Sequence, residues 1–232
     1  MRNLIIACAA TLPLLASGAT AYAAYNPEHA VPPRHASGAL QDARDQVGHA
    51  AKILHKMVRQ DPGMRRRLHE AKAVFVMTSY GRGGLVVGGS GSPGVLMVRH
   101  DGRWAGPALF NVGSVSVGAQ VGGEWGSMVW ILDTHRALRQ FEQTNNFSLK
   151  SGADLTFAVW SAATRAQTSA PDVVVWSDFK GAYAGADIGA TDINYDEHET
   201  GALYGHRVSL REIVRGQVHT AAAQELVKAL PA

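Results

Sequence analysis

The chain has 232 residues, 22 Lys and Arg against 19 Asp and Glu, a single cysteine and a formal charge of +3. So slight a basic excess carries no electrostatic footprint for nucleic acid, and no nucleic-acid partner is expected. One cysteine excludes an internal disulfide framework, so any metal site must use His and carboxylates. The length suits one domain of moderate size with a substantial core.

The first residues, MRNLIIACAATLPLLASGATAYA, hold one charge (Arg2), an apolar run and then Ala21-Tyr22-Ala23. That order reads as a signal peptide over residues 1–23, and it predicts a periplasmic or secreted protein. Pro13 and Gly18 break the run well short of the roughly 20 apolar residues that a spanning helix needs. Cys8 lies inside this segment, ahead of most of the hydrophobic run, so lipidation there is the minor reading. Residues 24–37 carry Pro27, Pro32 and Pro33 without periodicity and read as a flexible linker.

One domain is expected from residue 38 to 232. Leu40, Ala43, Val47, Ala50, Leu54 and Met57 recur at spacings of three and four, the mark of an amphipathic helix. Asp61-Pro62 ends it, and Pro62 opens a second short helix through Met64, Leu68 and Ala71. Strands are expected at 73–78, 85–89, 95–99, 108–112, 114–121 and 127–132. Asp133 is the expected cap of an inserted helix bearing Ala137, Leu138 and Phe141. Further strands are expected at 154–160, 172–176, 182–188 and 191–195. Ser209 is then expected to cap a short helical turn with Ile213, and residues 218–230 to form a closing helix with Val218, Ala222, Leu226 and Leu230 on one side. Strands do not alternate regularly with helices. The expected fold class is therefore α+β: N-terminal helices on a curved, mainly antiparallel, Gly-rich sheet or partial barrel, with one inserted helix and a C-terminal helix.

Seven glycines fall between Gly81 and Gly94. Gly89-Ser90-Gly91-Ser92-Pro93-Gly94 formally matches G-x-G-x-x-G, but Pro93 and the β-branched run after Gly94 predict a turn into a strand, whereas a dinucleotide loop opens a helix. Gly113-Ser114-Val115-Ser116-Val117-Gly118 departs from the G-x-S-x-G spacing of a nucleophile elbow. Ten scattered histidines form neither H-x-H nor H-E-x-x-H. Asp192-Ile193-Asn194-Tyr195-Asp196 starts like a calcium loop, yet Glu197 stands where Gly belongs and Leu203 where the closing Glu belongs, so a solvated strand edge running into a turn is the preferred reading. No metal or cofactor is expected. The basic residues are more suggestive: Lys52, Lys56 and Arg59 recur on the first helix, and Arg65, Arg66, Arg67 and Lys72 follow. Together they could form a cationic face for anionic lipid headgroups, against the plain alternative of a solvated helix surface.

Several blocks in order resemble the SYLF domain family of lipid-binding proteins. They are Ala71–Val76, Gly84–Gly89, Gly94-Val95-Leu96, Trp104–Phe110, Ser116–Gln120, Lys180–Gly185 and Leu203-Tyr204-Gly205, and they span roughly residues 40–230. The family's Gly-Pro pair after the middle strand is replaced around Trp160-Ser161-Ala162, and its Asn before Tyr-Gly is absent near Glu199-Thr200. The resemblance implies a non-enzymatic domain that binds phospholipid headgroups; some eukaryotic members bind phosphoinositides and actin filaments. For an exported protein only the general phospholipid expectation carries over, with the membrane surface as partner and the basic N-terminal helices as contact. Two alternatives stand beside it: a structural or interaction module that assembles with envelope proteins, and a hydrolase whose Ser, His and Asp are brought together across the fold.

Overall fold

The computed structural model of the chain describes residues 36–81, 92–117, 125–143, 146–150, 155–161, 171–178 and 188–231. The expected signal peptide, nearly all of the linker, the strand at 85–89 and the Lys180–Gly185 block lie outside them. Helices α1 (Ala36–Gln60) and α2 (Gly63–Glu70) lead into strands β1 (Ala73–Gly81), β2 (Ser92–His100), β3 (Arg103–Val117) and β4 (Trp125–Leu132). Helix α3 (His135–Gln143) follows, then β5 (Phe147–Lys150), β6 (Phe157–Val159), β7 (Val173–Ser177) and β8 (Ile188–Tyr195). Helices α4 (Glu197–Tyr204), α5 (Leu210–Val214) and α6 (Gln224–Ala229) close the chain, with a 3-10 turn at Ala221–Ala223 before α6.

The eight described strands form one sheet in the order β5-β8-β3-β2-β1-β4-β7-β6, curled into a half-barrel. Every pairing is antiparallel except β6 with β7. The class is α+β, as the element order implied. Alternation along each strand divides its side chains between two cores. Phe75, Met77, Leu96, Phe110, Met128 and Trp130 face the inner side, where α3 contributes Phe141. Val74, Val76, Val95, Met97, Leu109, Val129 and Ile131 face outward onto α1, α2 and α6. Phe75 lies at the centre of the inner cluster, with ring centroids 5.7 Å from Phe110, 5.0 Å from Phe141 and 6.3 Å from Trp130.

A polar knot ties α3 to the far edge. Asp172, buried, accepts from Arg136 Nη2 (2.5 Å), Thr134 Oγ1 (2.7 Å) and both the backbone N–H and hydroxyl of Thr156 (2.9 and 2.8 Å). Burial alone pushes its carboxyl upward, but these donors outweigh it and hold the group well below the usual carboxylate range.

Several boundaries depart from expectation. β3 is one 15-residue strand running through Gly113, where two strands were expected, because β8 pairs with it on both sides of that glycine. Thr134, not Asp133, caps α3: its Oγ1 accepts from the Ala137 N–H at 3.2 Å. β8 is no strand edge; it lies between β5 and β3, and Asp196 starts a helix by accepting from the Glu199 N–H at 2.8 Å. Ser209 does cap α5, in a reciprocal box with Glu212. The closing helix is shorter than expected, and Val218 packs on the inner core while Ala222, Leu226 and Leu230 pack on the outer one. Ser114 lies within β3, paired with Thr191. Ser92, Pro93 and Gly94 belong to β2, so the glycine-rich segment does lead into a strand.

Close approach requires glycine at several points of the sheet, two of which show how. At Gly106, φ is +128° and an added Cβ would meet Met97 Sδ at 2.9 Å. At Gly94, a Cβ would meet the fully buried Phe75 ring at 2.4 Å. Gly94→Ala is therefore expected to destabilise the fold by about 1–3 kcal/mol through overpacking. The double variant Gly94→Ala/Phe75→Leu should recover part of the loss relative to the sum of the single changes, as read by urea unfolding. Strict additivity would sink this account.

Candidate functional site

α1 buries Ala43, Val47, Ala50, Leu54 and Met57 against the outer face of the sheet. Burying a side chain such as Leu54 or Met57 contributes about 1.5–3 kcal/mol each, enough to fix which face points outward. Pro62 breaks the chain direction, and α2 then docks through Met64 and Leu68. The expected basic residues are thereby sorted into three fates.

Lys52, Arg59, Arg65 and Arg66 are exposed. Lys56 is half-buried, and its Nζ donates to Asp178 Oδ2 at 2.6 Å. The other Asp178 oxygen takes the Ser127 N–H at 2.7 Å, so this lysine braces the sheet margin. Arg67 reaches Asp133 at 2.6 Å in a poorly exposed position, which joins α2 to the end of β4. Lys72 is half-buried, and its backbone extends the ladder: its N–H donates to the Leu132 carbonyl, and its carbonyl accepts from the Arg99 N–H, both at 2.8 Å. Three of the seven candidates thus serve the fold at least in part, whereas four face solvent.

The C-terminal segment joins the exposed group. Arg99 Nη2 and Trp104 Nε1 both donate to the Pro231 carbonyl, at 3.1 and 2.7 Å, and the Arg99 guanidinium lies over the Trp104 ring at 4.5 Å. This clamp brings the end of α6 against the last turns of α1 and the start of α2. The three elements enclose a pocket of about 220 Å³ lined by His55, Arg59, Arg65 and Lys228, with Val58 and Leu230 among its apolar walls. Lys228 and His55 were not among the expected contacts, and nothing local in the sequence marks them; Lys228 arrives only through packing of α6 on α1. A larger, open groove of about 550 Å³ lies between Leu40 of α1 and α4, but Glu197 and Arg207 form an ion pair at 2.7 Å among its lining residues. It presents both signs of charge and so does not single out one class of ion.

Among the described residues no group of three or more His, Cys, Asp or Glu side chains is placed to hold a metal ion. The described histidines are distributed over α1, α2, β2, α3, α4 and the connections around α5 and α6. No described helix is long and apolar enough to cross a membrane.

An α+β half-barrel with a cationic corner built from its first and last helices is thus the class that fold and site define. Comparison with known proteins gives the family. The family model described as "Ysc84: Las17-binding protein actin regulator" matches residues 113–232. That is more than half of the chain, which belongs to this Ysc84, or SYLF, family. The chain is similar to an SH3 domain-containing protein of Schizosaccharomyces pombe, 28% identical over 171 residues, covering 70% of this chain and 39% of that protein. It is similar also to Protein YSC84 of Saccharomyces cerevisiae, 27% identical over 157 residues, covering 65% and 33%. A third relative is SH3 domain-containing YSC84-like protein 1 of Bos taurus, 24% identical over 200 residues, covering 81% and 58%. The chain therefore spans between about a third and three-fifths of the length of these relatives.

The Arg67–Asp133 pair has a pH signature. Neither Asp133 oxygen nor Arg67 Nε makes an aligned hydrogen bond, although the charges touch. Burial consequently outweighs the attraction of Arg67 and pushes the Asp133 carboxyl from 3.8 up to about 6. The folded state then holds more protons than the unfolded state between these values, so this group's contribution is fully present below 3.8 and is lost as pH rises through about 6. Urea unfolding from pH 4 to 7 should show a falling component of up to about 3 kcal/mol, and Asp133→Asn should flatten it. An unchanged slope in the variant would refute the assignment.

Proposed function

We propose that this chain is a non-enzymatic domain that docks on phospholipid headgroups through the cationic corner of α1 and α2. The observation that carries the reading is the sorting of charge. Lys52, Arg59, Arg65 and Arg66 stay exposed on neighbouring helices, while Lys56 and Arg67 are neutralised by Asp178 and Asp133. Exposed basic residues on adjoining helices attract an anionic membrane surface, each contributing about 1 kcal/mol near the surface. The signal-peptide pattern of residues 1–23 supports an envelope location, periplasmic or secreted, with peripheral membrane association.

A second reading has its own support. The family description and the name LAS seventeen-binding protein 3, a Saccharomyces cerevisiae relative 26% identical over 157 residues, speak of protein partners. A protein-interaction module of the envelope is therefore the competing function. The hydrolase reading has no comparable support: Ser114 is paired within a strand, and Ser209 is engaged in capping α5.

Flotation of the purified chain with vesicles separates the two. Phosphatidylglycerol-containing vesicles should carry it at low salt and release it as salt rises, whereas phosphatidylcholine vesicles should not. Arg65→Ser/Arg66→Ser should cut partitioning roughly thirtyfold, from about 1 kcal/mol for each charge. Arg67 is left in place because it braces α2. Absence of flotation at low salt, together with a stoichiometric protein partner in a pull-down, would establish the second reading.

A further inference from the structure

We propose that the pocket between α1, α2 and α6 is a receptor site for a phosphate monoester, with Arg59, Arg65 and Lys228 as its binding residues. The inference deepens the docking reading and rests on it only for the source of the phosphate.

The pocket encloses about 220 Å³ and gathers one histidine and three permanent cations from parts of the chain far apart in sequence. Among the described residues no carboxylate side chain lines it. Among the described residues none of Arg59, Arg65 and Lys228 forms an ion pair, whereas Lys56, Arg67, Arg136 and Arg207 each meet a carboxylate. Lys56 and Arg67, on the same two helices, have carboxylate partners; the pocket cations have none among the described residues, and like charges held together repel.

Helix dipoles account for part of this arrangement. Arg59 lies in the last turn of α1 and Lys228 in the last turn of α6, where cations are favoured. Arg65 is the exception. It lies in the first turn of α2, which has no acidic residue there and no side-chain cap, so its charge adds to the positive end of the helix. A bound anion relieves both the dipole conflict and the mutual repulsion.

The donor set selects the anion. Two arginine forks offer paired N–H donors to adjacent oxygens, and Lys228 adds a mobile point charge. A phosphate monoester carries between about −1.5 and −2 at pH 7 and has three terminal oxygens to share among such donors. A diester carries one charge and fewer terminal oxygens, so it satisfies the set less fully. Val58, Ala229, Leu230 and Pro231 form the apolar remainder of the lining, against which the carbon side of an ester can lie.

Isothermal titration of the full chain with inorganic phosphate, at constant ionic strength against chloride, tests the site itself. Binding is expected, and Lys228→Gln and Arg59→Gln should each weaken it about tenfold. Arg44→Gln and Arg215→Gln, which remove exposed charges outside both the pocket and the docking corner, should leave it within about twofold, the small residue of long-range screening. No heat of binding in the parent chain, or equal weakening by all four changes, overturns the proposal. Flotation with phosphatidic acid against phosphatidylglycerol vesicles then identifies the source. Preference for phosphatidic acid that is lost in Lys228→Gln supports a lipid headgroup. Phosphate binding without that preference supports a soluble phosphate ligand in the same pocket. Flotation that ignores Lys228→Gln in a chain that does not bind phosphate refutes the pocket and leaves surface docking standing. Thermal melts of each variant, expected within a few degrees of the parent, confirm that the exposed substitutions act on binding and not on folding.

Discussion

Burial on both sides of one antiparallel sheet is the constraint from which the rest of this structure follows. β1 gives Phe75 and Met77 to the inner core and Val74 and Val76 to the outer one, and β2, β4 and β7 repeat the division. An antiparallel sheet with one wet face would alternate apolar with polar residues. Here the central strands must be apolar at nearly every position, and the sheet needs helices outside it and its own curl, with α3, inside. Glycine becomes necessary where the curl crowds the inner rings, as at Gly94 against Phe75.

That same constraint positions the cationic corner. α1 can lie on the sheet only with Leu54 and Met57 inward, which leaves Lys52 and Arg59 outward. α6 joins the same layer through Leu226, and the Arg99–Trp104 clamp on the Pro231 carbonyl fixes where it ends. Charge is then distributed by proximity to the sheet. Lys56 and Arg67, near its margin, meet Asp178 and Asp133 and become struts, while Arg59 and Arg65 have no ion pair among the described residues. Asp133 and Asp172 show how finely this depends on donors: both are removed from water, but only Asp172 receives enough aligned hydrogen bonds to stay strongly acidic.

Periodicity made much of this legible. The spacing of Leu40 to Met57 marked α1, and apolar runs such as Ala73–Met77 and Met128–Leu132 marked strands, which the fold buries on both faces. The Ser209 cap was readable because a reciprocal partner, Glu212, stands three residues on. What escaped was whatever depends on distant partners. β5 is a four-residue edge strand that exists through β8, and α4 follows a segment whose local signals favoured a turn. Asp133 looked like a cap because it precedes α3, but the half-buried Arg67 claimed it and Thr134 took the role. Among the seven basic residues, sequence could group them by helix but could not tell Arg66, exposed, from Arg67, braced.

Family membership and the proposed contact rest on parts of the molecule that overlap only at Lys228. The family match begins at Gly113 and therefore covers the later strands, α4, α5 and α6, but neither α1 nor α2. Lys228 lies within it, while Arg59 and Arg65 precede it. That portion supplies the end of β3, β4 to β8 and one cation of the corner; β1, β2 and most of β3 precede it, as do the two helices that carry the other cations. A scaffold of this kind does not by itself fix what is bound; the side chains it carries at the site decide that. The pocket thus depends on the register of α1 and α2 on the outer core, because a shift of one residue would turn Arg59 or Arg65 by about 100° about its helix axis and away from Lys228.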